Sequence, residues 1–465
     1  MSNTQNINFV SNINTQNRFV DNDLIKKFSG YILASNKFDH SLYSKYNVKR
    51  GLRNADGSGV LVGLTSIGDV HGYIIDEGET KPVEGRLRYR GVDISDLTQG
   101  FLSDHRYGYE ETVFLLLFGK LPTKKELDEF CDLLVEMREL PDGFKENIIF
   151  HTPSKNVMNQ MMTSVSQCYA YDDRAEDNSP ENVLRQCLEL VARFPALVAY
   201  TYHAKLHYFD NQSLTIHYQS KSHSTAENFL SLLRPNQEFT ELEARVLDLA
   251  LVIHAEHGGG NNSTFTVHVV SSTDTDTYSA IGAAIASLKG PKHGGANFAT
   301  MRMMQDIKEH VSDVNNEKQL KEYLRKIIRK EAFDRTGLIY GMGHAVYSYS
   351  DPRAVLLKQE ACKLAAEKGR EDEFALYMNV ESLAKEVFLE EKNMSVICAN
   401  VDFYSGFVYN MLNIPNELHT PLFAISRMAG WAAHRLEEIT NGGKIIRPAY
   451  KYVSGAKKYV RLDQR

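Results

Sequence analysis

Long apolar runs and a strong excess of one charge are both missing from this sequence. No stretch approaches the roughly 20 consecutive apolar residues that a membrane-spanning helix needs, so we do not expect the chain to cross a membrane. The formal net charge is only −6 and the basic residues are spread along the chain, which argues against nucleic acid as a partner. Met1 to Gln16 is rich in Asn and Ser, without a basic start or an apolar centre. The sequence therefore predicts a flexible polar arm over residues 1–20 and a cytoplasmic protein.

Cysteine is also scarce. The chain has 5 cysteines, widely separated and without a C-x-x-C pair. An odd number at such spacings indicates reduced, mostly buried thiols rather than a disulfide framework.

Apolar residues make up 43% of the 465-residue chain, so a large core can form. A chain of this length is expected to divide into two lobes around a cleft. Apolar residues recur three and four apart in Val183–Leu206, Leu242–His257 and Leu320–Ile328, which predicts helices. The runs VLVGLTSI, GYIID and RLRYRG between Val60 and Arg90 predict short strands. The fold class is therefore mainly α, with a few short N-terminal strands.

Four segments combine flexible glycines or a helix start with titratable side chains: HAEHGGGN from His254, GPKHGGAN from Gly290, GMGHAVYSYSDPR from Gly341 and NVDFYSG from Asn400. Glycines let backbone and side chain approach a ligand closely. The candidates for acid–base chemistry are His293, His344 and Asp402.

Each candidate also has an ordinary structural interpretation. A histidine beside glycine is commonly a hydrogen-bonded turn residue, and Asp402 suits the N-cap of a following helix. Arg353 can be a surface charge after a turn proline, and Arg427 one side of a helical ion pair.

Metal and nucleotide motifs are weak or missing. His254 and His257, spaced i, i+3, would share a helix face, but HAEH is not H-E-x-x-H and a buried His254 is the simpler interpretation. Gly258 to Gly260 lacks a following GK[ST], and the third glycine of a dinucleotide fingerprint is replaced by Val346. We expect no metal and no cofactor.

In order along the chain, LRYRG, YEETVFLLLFGKLPT, HAEHGGGN, SLKGPKHGGAN, GMGHAVYSYSDPR, NVDFYSG, FAISRMAGW and KIIRP resemble the citrate synthase family, from Arg88 to Arg447. The resemblance implies a mostly helical, two-domain homodimer with the active site in the cleft between its domains. It places the large domain at residues 21–293 and 408–465 and the small domain at residues 294–407.

The resemblance also implies roles for the catalytic candidates. His293 would polarise the thioester carbonyl of acetyl-CoA while Asp402 removes a proton from its methyl group. His344 would bind and protonate the ketone oxygen of oxaloacetate as the enol attacks. Hydrolysis of citryl-CoA would then give citrate and CoA, with acetyl-CoA a substrate rather than a cofactor.

The same resemblance implies the binding residues. His257, Arg353, Arg427 and Arg447 would hold oxaloacetate, Arg447 reaching in from the partner subunit. The backbone of Gly341, Met342 and Gly343 would lie against the adenine part of CoA.

Ser348 departs from the family, where many members carry Lys or Arg for the CoA phosphates. Arg53 and Lys292 are alternatives for that contact, and for both a solvated surface charge is the simpler interpretation. Two other functions fit the same motifs. One is 2-methylcitrate synthase, which uses propionyl-CoA, and the other is a non-catalytic homologue that senses oxaloacetate or CoA.

Overall fold

The computed structural model describes residues 23–37, 39–54, 57–76 and 79–465. The predicted arm at residues 1–20 lies outside the described residues. The chain forms two compact units, one of residues 63–447 and a smaller one that joins the residues up to Val62 with Pro448–Arg465. The predicted division into a large and a small domain, at residues 293 and 408, stays a prediction.

Helices dominate the described residues, as predicted. They are α1 (Asp23–Ser35), α2 (Ser41–Lys45), α3 (Ile94–Ser103), α4 (Tyr109–Phe118), α5 (Lys124–Glu136), α6 (Val157–Cys168), α7 (Pro180–Asp210), α8 (Thr225–Leu233), α9 (Glu241–His254), α10 (Asn262–Ser271), α11 (Thr277–Lys289), α12 (Pro291–Gly294), α13 (Ala296–His310), α14 (Glu317–Ile328), α15 (Pro352–Lys368), α16 (Glu371–Lys392), α17 (Val401–Met411) and α18 (His419–Asn441). Short 3-10 or π turns cover Arg50–Leu52, Lys145–Phe150, Tyr169–Tyr171, Asn416–Leu418 and Leu462–Gln464.

The three helices predicted from periodicity are confirmed as α7, α9 and α14. Local signals fix several helix starts. Thr123, Ser224 and Thr240 each form a capping box with a glutamate three residues later, which satisfies backbone N–H groups at the first turn. Helices α7 and α18 are buried along much of their length and form the centre of the larger unit. No helix among residues 23–37, 39–54, 57–76 and 79–465 is both long and apolar enough to span a bilayer.

The strands form one antiparallel sheet in the order β1 (Gly68–Asp76), β2 (Glu79–Tyr89) and β3 (Val92–Asp93). Gly68 pairs with Tyr89 and Val70 with Leu87. The prediction of a strand over VLVGLTSI is wrong. That run has no ladder partner among the described residues, and its Leu61 and Leu64 are 87% and 92% exposed. A strand needs a continuous ladder of hydrogen bonds to a neighbour, whereas this run has isolated backbone bonds at its ends, from the Val60 N–H to Leu52 and from the Arg90 N–H to Ile67.

Two glycines of the sheet allow a loop to pass against it. A Cβ on Gly85 would lie 1.9 Å from the carbonyl oxygen of Ser350, and one on Gly72 would lie 2.5 Å from that of Val346. No side chain fits at either distance. The sheet therefore supports the segment that begins with GMGH.

The cysteines are free thiols, as predicted, and Cys168, Cys187 and Cys398 are buried.

Candidate active site

Two of the segments singled out in the sequence are joined by backbone hydrogen bonds. Met342 and Ala399 form an isolated antiparallel bridge. The Gly343 N–H donates to the carbonyl oxygen of Cys398, and the Asn400 N–H donates to that of Gly341, both at 2.8 Å. Gly341 has φ +80°, and a Cβ there would come within 2.7 Å of Phe403, so glycine is required. The segment that leads to His344 is thus fixed to the one that leads to Asp402.

His344 is held as one tautomer. Its Nδ1 accepts the backbone N–H groups of Val346 at 3.1 Å and Tyr347 at 3.2 Å. A ring nitrogen that accepts carries no proton, so in the neutral ring the proton is on Nε2. The ring also stacks on that of Tyr347, with centroids 4.8 Å apart. His344 is therefore preset to donate from Nε2.

Asp402 lies in the first turn of α17. Asn400 is the N-cap, and its side-chain oxygen accepts the Asp402 N–H at 3.0 Å. The interpretation of Asp402 as the cap is therefore wrong, and its carboxylate is left for other contacts. Burial raises the pKa of Asp402 to about 6, although the positive charge of Arg353 opposes the rise. A carboxylate with a raised pKa is a better proton acceptor than an ordinary one.

Arg353 is buried rather than on the surface. Its Nε and Nη2 donate to the two carboxylate oxygens of Asp351, at 3.0 and 2.7 Å. Asp351 also caps α15 by accepting the Arg353 N–H. Burial alone would lower the pKa of Arg353, but the Asp351 carboxylate more than offsets this and raises it. The surface-charge interpretation is wrong, because only 4% of Arg353 is exposed.

Arg427 lies on α18 and is fully buried. Its Nε donates to the carbonyl oxygen of His254 at 2.8 Å, while Nη1 and Nη2 have no hydrogen-bond partner among the described residues. The helical ion-pair interpretation is therefore wrong. Burial lowers the pKa of Arg427 to about 10, which leaves the group charged at neutral pH. Two buried guanidinium nitrogens without a partner among the described residues carry four N–H donors, which suits a carboxylate.

His257 adds a neutral imidazole ring beside these groups, and its buried Nε2 has no hydrogen-bond partner among the described residues. Helix α9 ends at His254, so the two histidines do not share a helix face, and the buried His254 bonds through Nδ1 to the Ala250 carbonyl. The ring of His257 lies 5.1 Å from that of His344, centroid to centroid. Burial, with the charge of Arg353, holds the pKa of His257 well below its usual range.

His293 lies in the short helix α12. Its Nε2 lies 3.1 Å from Oγ of Ser263, which also accepts the Trp431 indole N–H at 3.2 Å. Burial, together with the positive charge of Arg427, lowers the pKa of His293 to about 4. His293 is therefore neutral at pH 7.

Together these groups can bind a small carboxylate and move a proton beside it. The charges of Arg353 and Arg427 both act on Asp402. A buried carboxylate base, neutral histidines and cationic forks suit proton removal next to a carbonyl whose oxygen is stabilised by hydrogen-bond donors.

Comparison with known proteins identifies the family. The family model described as "Citrate synthase, C-terminal domain" matches residues 56–449. The chain belongs to the citrate synthase family. It is 35% identical to citrate synthase 2 of Bacillus subtilis over 390 residues, which cover 82% of this chain and 94% of that protein. It is 34% identical to 2-methylcitrate synthase of Shewanella oneidensis over 369 residues, which cover 79% of this chain and 88% of that protein.

A solved structure of a citrate synthase also matches this chain. The ternary complex of carboxymethyl coenzyme A and oxaloacetate with citrate synthase from Thermoplasma acidophilum matches with a TM-score of 0.71 and 27% identity. The match covers 90% of this chain and 99% of that one. The predicted family and its helical fold are confirmed.

Arg447, which the resemblance assigned to the partner subunit's site, and the positions considered for the CoA phosphates each have their own surroundings. Arg447 is exposed and its side chain makes no hydrogen bond or ion pair with the described residues, although the neighbouring Ile446 N–H donates to Oγ of Ser272 at 3.1 Å. Ser348 is half-buried and Lys292 is exposed. Arg53 belongs to the smaller unit, where it donates to the carbonyl oxygen of Gly57 at 3.2 Å.

Sequence reasoning missed two members of this citrate synthase site. Asp351 immediately precedes Pro352 at the start of α15, and that cap pattern could have identified it as the partner of Arg353. Ser263 lies early in α10, after the glycines of HAEHGGGN, without a sequence signal of its own. Its role depends on contacts with His293 and Trp431, which lie far away in the chain.

Proposed function

We propose that the chain is a citrate synthase that condenses acetyl-CoA with oxaloacetate and hydrolyses citryl-CoA to citrate and CoA. One observation carries the proposal. The buried Asp402 carboxylate, the preset Nε2 donor of His344 and the unfilled guanidinium of Arg427 lie in one cluster.

The first step is removal of a methyl proton from acetyl-CoA by Asp402. A thioester α-carbon is a very weak acid, so the base needs charge stabilisation at the carbonyl oxygen in the same step. His293 supplies that hydrogen bond. A neutral imidazole suits this role, because an imidazolium would give up its proton more readily.

The second step joins the enol carbon to the ketone carbon of oxaloacetate. His344 donates from Nε2 to the ketone oxygen, so negative charge does not accumulate there. Arg427 binds a carboxylate of oxaloacetate through Nη1 and Nη2. Arg353 and His257 complete the oxaloacetate pocket, and Asp351 orients Arg353. Water then cleaves the thioester of citryl-CoA.

The Gly341–Gly343 loop is our proposed contact for the adenine of CoA. Gly341 and Gly343 have φ near +80° and +86°, and neither carries a side chain that would separate a ligand from the backbone. The solved complex with carboxymethyl coenzyme A supports a CoA substrate for this chain. Closure of the two predicted domains would exclude water before the enol forms.

The homodimer and the cytoplasmic location are also part of the proposal. Arg447 is exposed and makes no side-chain hydrogen bond or ion pair with the residues that the structure describes, which fits a role in the site of the partner subunit. Free cysteines suit a reducing compartment. Co-expression of Asp402→Asn and Arg447→Ala chains tests the shared site. Mixed dimers contain one site with both residues intact, so activity above that of either variant supports the proposal, and no recovery contradicts it.

The activity itself is tested by following thiol release from acetyl-CoA with and without oxaloacetate. We expect release that depends on oxaloacetate, with citrate identified by NMR. Release without oxaloacetate would indicate a thioesterase. Oxaloacetate binding without release would indicate the sensing homologue.

The likeness to 2-methylcitrate synthase favours one alternative substrate, propionyl-CoA. One methylene in an apolar pocket changes binding by only about 1–3 kcal/mol. The ratio of kcat/KM for acetyl-CoA and propionyl-CoA therefore decides between the two. A higher kcat/KM for propionyl-CoA would mean that the chain is a 2-methylcitrate synthase instead.

A further inference from the structure

A second cluster of titratable groups lies where α10 meets α18, outside the catalytic cluster. Nε2 of His268 is 3.0 Å from Nδ1 of His434, and a carboxylate oxygen of Glu437 is 3.8 Å from the same Nδ1. One ligand atom from each of these residues lies within 4.8 Å of the others. His434 is fully buried, and the side chains of His268 and Glu437 are only 13% and 11% exposed.

The outer ring nitrogens of both histidines face carboxylates. Nδ1 of His268 lies 2.7 Å from Glu438, and Nε2 of His434 lies 3.0 Å from Glu256. An ionised carboxylate only accepts hydrogen bonds, so both outer nitrogens carry protons. In two neutral rings the inner nitrogens then present lone pairs to each other at 3.0 Å. That arrangement is repulsive unless a cation lies between them.

Glu437 adds negative charge to the same space. Its Oε1 accepts the N–H and the hydroxyl of Ser66, both at 2.8 Å, while Oε2 is buried without a hydrogen-bond partner among the described residues. Three ligand atoms with free electron pairs therefore converge.

We propose that His268, His434 and Glu437 bind a divalent metal ion, with zinc as the best fit. Tetrahedral zinc takes imidazole and carboxylate ligands at about 2.0–2.2 Å, which places ligand atoms about 3.3 Å apart. The observed 3.0 and 3.8 Å lie on either side of that value. Glu438 and Glu256 hold the two rings from behind, which is the usual support for histidine ligands of zinc.

The metal would act as a positioning group for the neighbouring site. Glu256 accepts the Gly258 N–H, and its charge acts on Arg427. It therefore connects His434 to the loop that carries His257. A metal on His434 would fix Glu256, and through it the oxaloacetate pocket. The metal site stands independently of the acyl substrate, because it uses none of the proposed catalytic residues.

The test is metal binding by the untagged full-length protein. After dialysis against zinc and then metal-free buffer, we expect about one zinc ion per chain. Cobalt should replace it and give the visible absorption of tetrahedral Co²⁺. His268→Gln and Glu437→Gln should each lose the bound ion and the cobalt bands, whereas the matched control His310→Gln, on the exposed part of α13, should keep both.

Two results would overturn the proposal. One is a wild-type protein that binds no zinc or cobalt at micromolar concentration, which would mean that a proton alone separates the rings. The other is zinc binding that survives in both cluster variants. The wild-type cobalt spectrum decides the first point even if a variant does not fold.

Discussion

The side-chain amide of Asn400 donates to the carbonyl oxygen of Gly343 at 2.8 Å. The same side chain caps α17 by accepting the Asp402 N–H. Asn400 therefore contacts both the loop residue that precedes His344 and the first turn of α17, which carries Asp402.

The first prediction concerns this connection. Asn400→Ala removes an N-cap, which should lower the free energy of unfolding by about 1 kcal/mol. It also removes the part-buried hydrogen bond to the Gly343 carbonyl, which helps to position the loop before His344, so we expect kcat to fall about 10-fold. Asn316→Ala is the matched control, because Asn316 caps α14 in the same way without contacting the site. An equal loss of kcat in both variants would contradict the connection.

The second prediction concerns the base. Asp402→Asn keeps the shape of the side chain but cannot accept the methyl proton, so kcat should fall at least ~100-fold. Oxaloacetate should still bind, as measured by calorimetry, because Arg353 and Arg427 remain. Asp128→Asn, on the exposed face of α5, is the control and should leave kcat unchanged. Turnover near the wild-type level in Asp402→Asn would remove Asp402 from the mechanism.

The third prediction follows from the pKa of Asp402, which burial raises to about 6. The base must be ionised, so kcat should fall about tenfold per pH unit below pH 6. The folded state holds the proton more tightly than the unfolded state, so the contribution of this group to stability is lost as pH rises from about 4 to about 6. Asp402→Asn should therefore be more stable than wild type at pH 7.5 and lose that advantage near pH 4. Thermal unfolding of both proteins at pH 7.5 and pH 4 measures this stability difference. The same difference at both pH values would contradict the prediction.

The sequence predicts features that depend on neighbouring residues. The periodicity of α7, α9 and α14 is enough to place these helices, and the glycines of GMGH indicate the loop that the structure shows. The sequence does not predict features that depend on residues far away in the chain. VLVGLTSI has the composition of a strand, but a strand also needs a partner, which composition does not supply.

The candidate site shows the same limit. The sequence could nominate Arg353 and Arg427 but not distinguish them, since both are arginines on helices. In the structure Asp351 accepts from Nε and Nη2 of Arg353, whereas Nη1 and Nη2 of Arg427 have no hydrogen-bond partner in the described part of the chain. The Asp351 contact is local, only two residues away, whereas the position of Arg427 depends on packing against His254, far away in the chain. This difference in hydrogen bonding makes Arg427 the stronger candidate for direct contact with a carboxylate.

The last prediction concerns the tautomer of His293. The Ser263 hydroxyl has one proton and two neighbours that can accept it, Oδ1 of Asn261 at 3.0 Å and Nε2 of His293 at 3.1 Å. When His293 accepts it, the proton of the neutral ring is on Nδ1, which can then donate to the thioester oxygen. Ser263→Ala removes the hydroxyl that selects this tautomer. We therefore expect kcat to fall about 10-fold, which is the effect of one hydrogen bond.

The KM for oxaloacetate should stay near its wild-type value in Ser263→Ala, because Arg353 and Arg427 are untouched. Trp431→Phe is the matched control: it removes the indole donor to Ser263 but leaves the bond between Ser263 and His293. Steady-state kinetics of both variants separate the two contacts. If Trp431→Phe lowers kcat as much as Ser263→Ala does, the effect comes from packing around the serine, and the proton on His293 is set by another group.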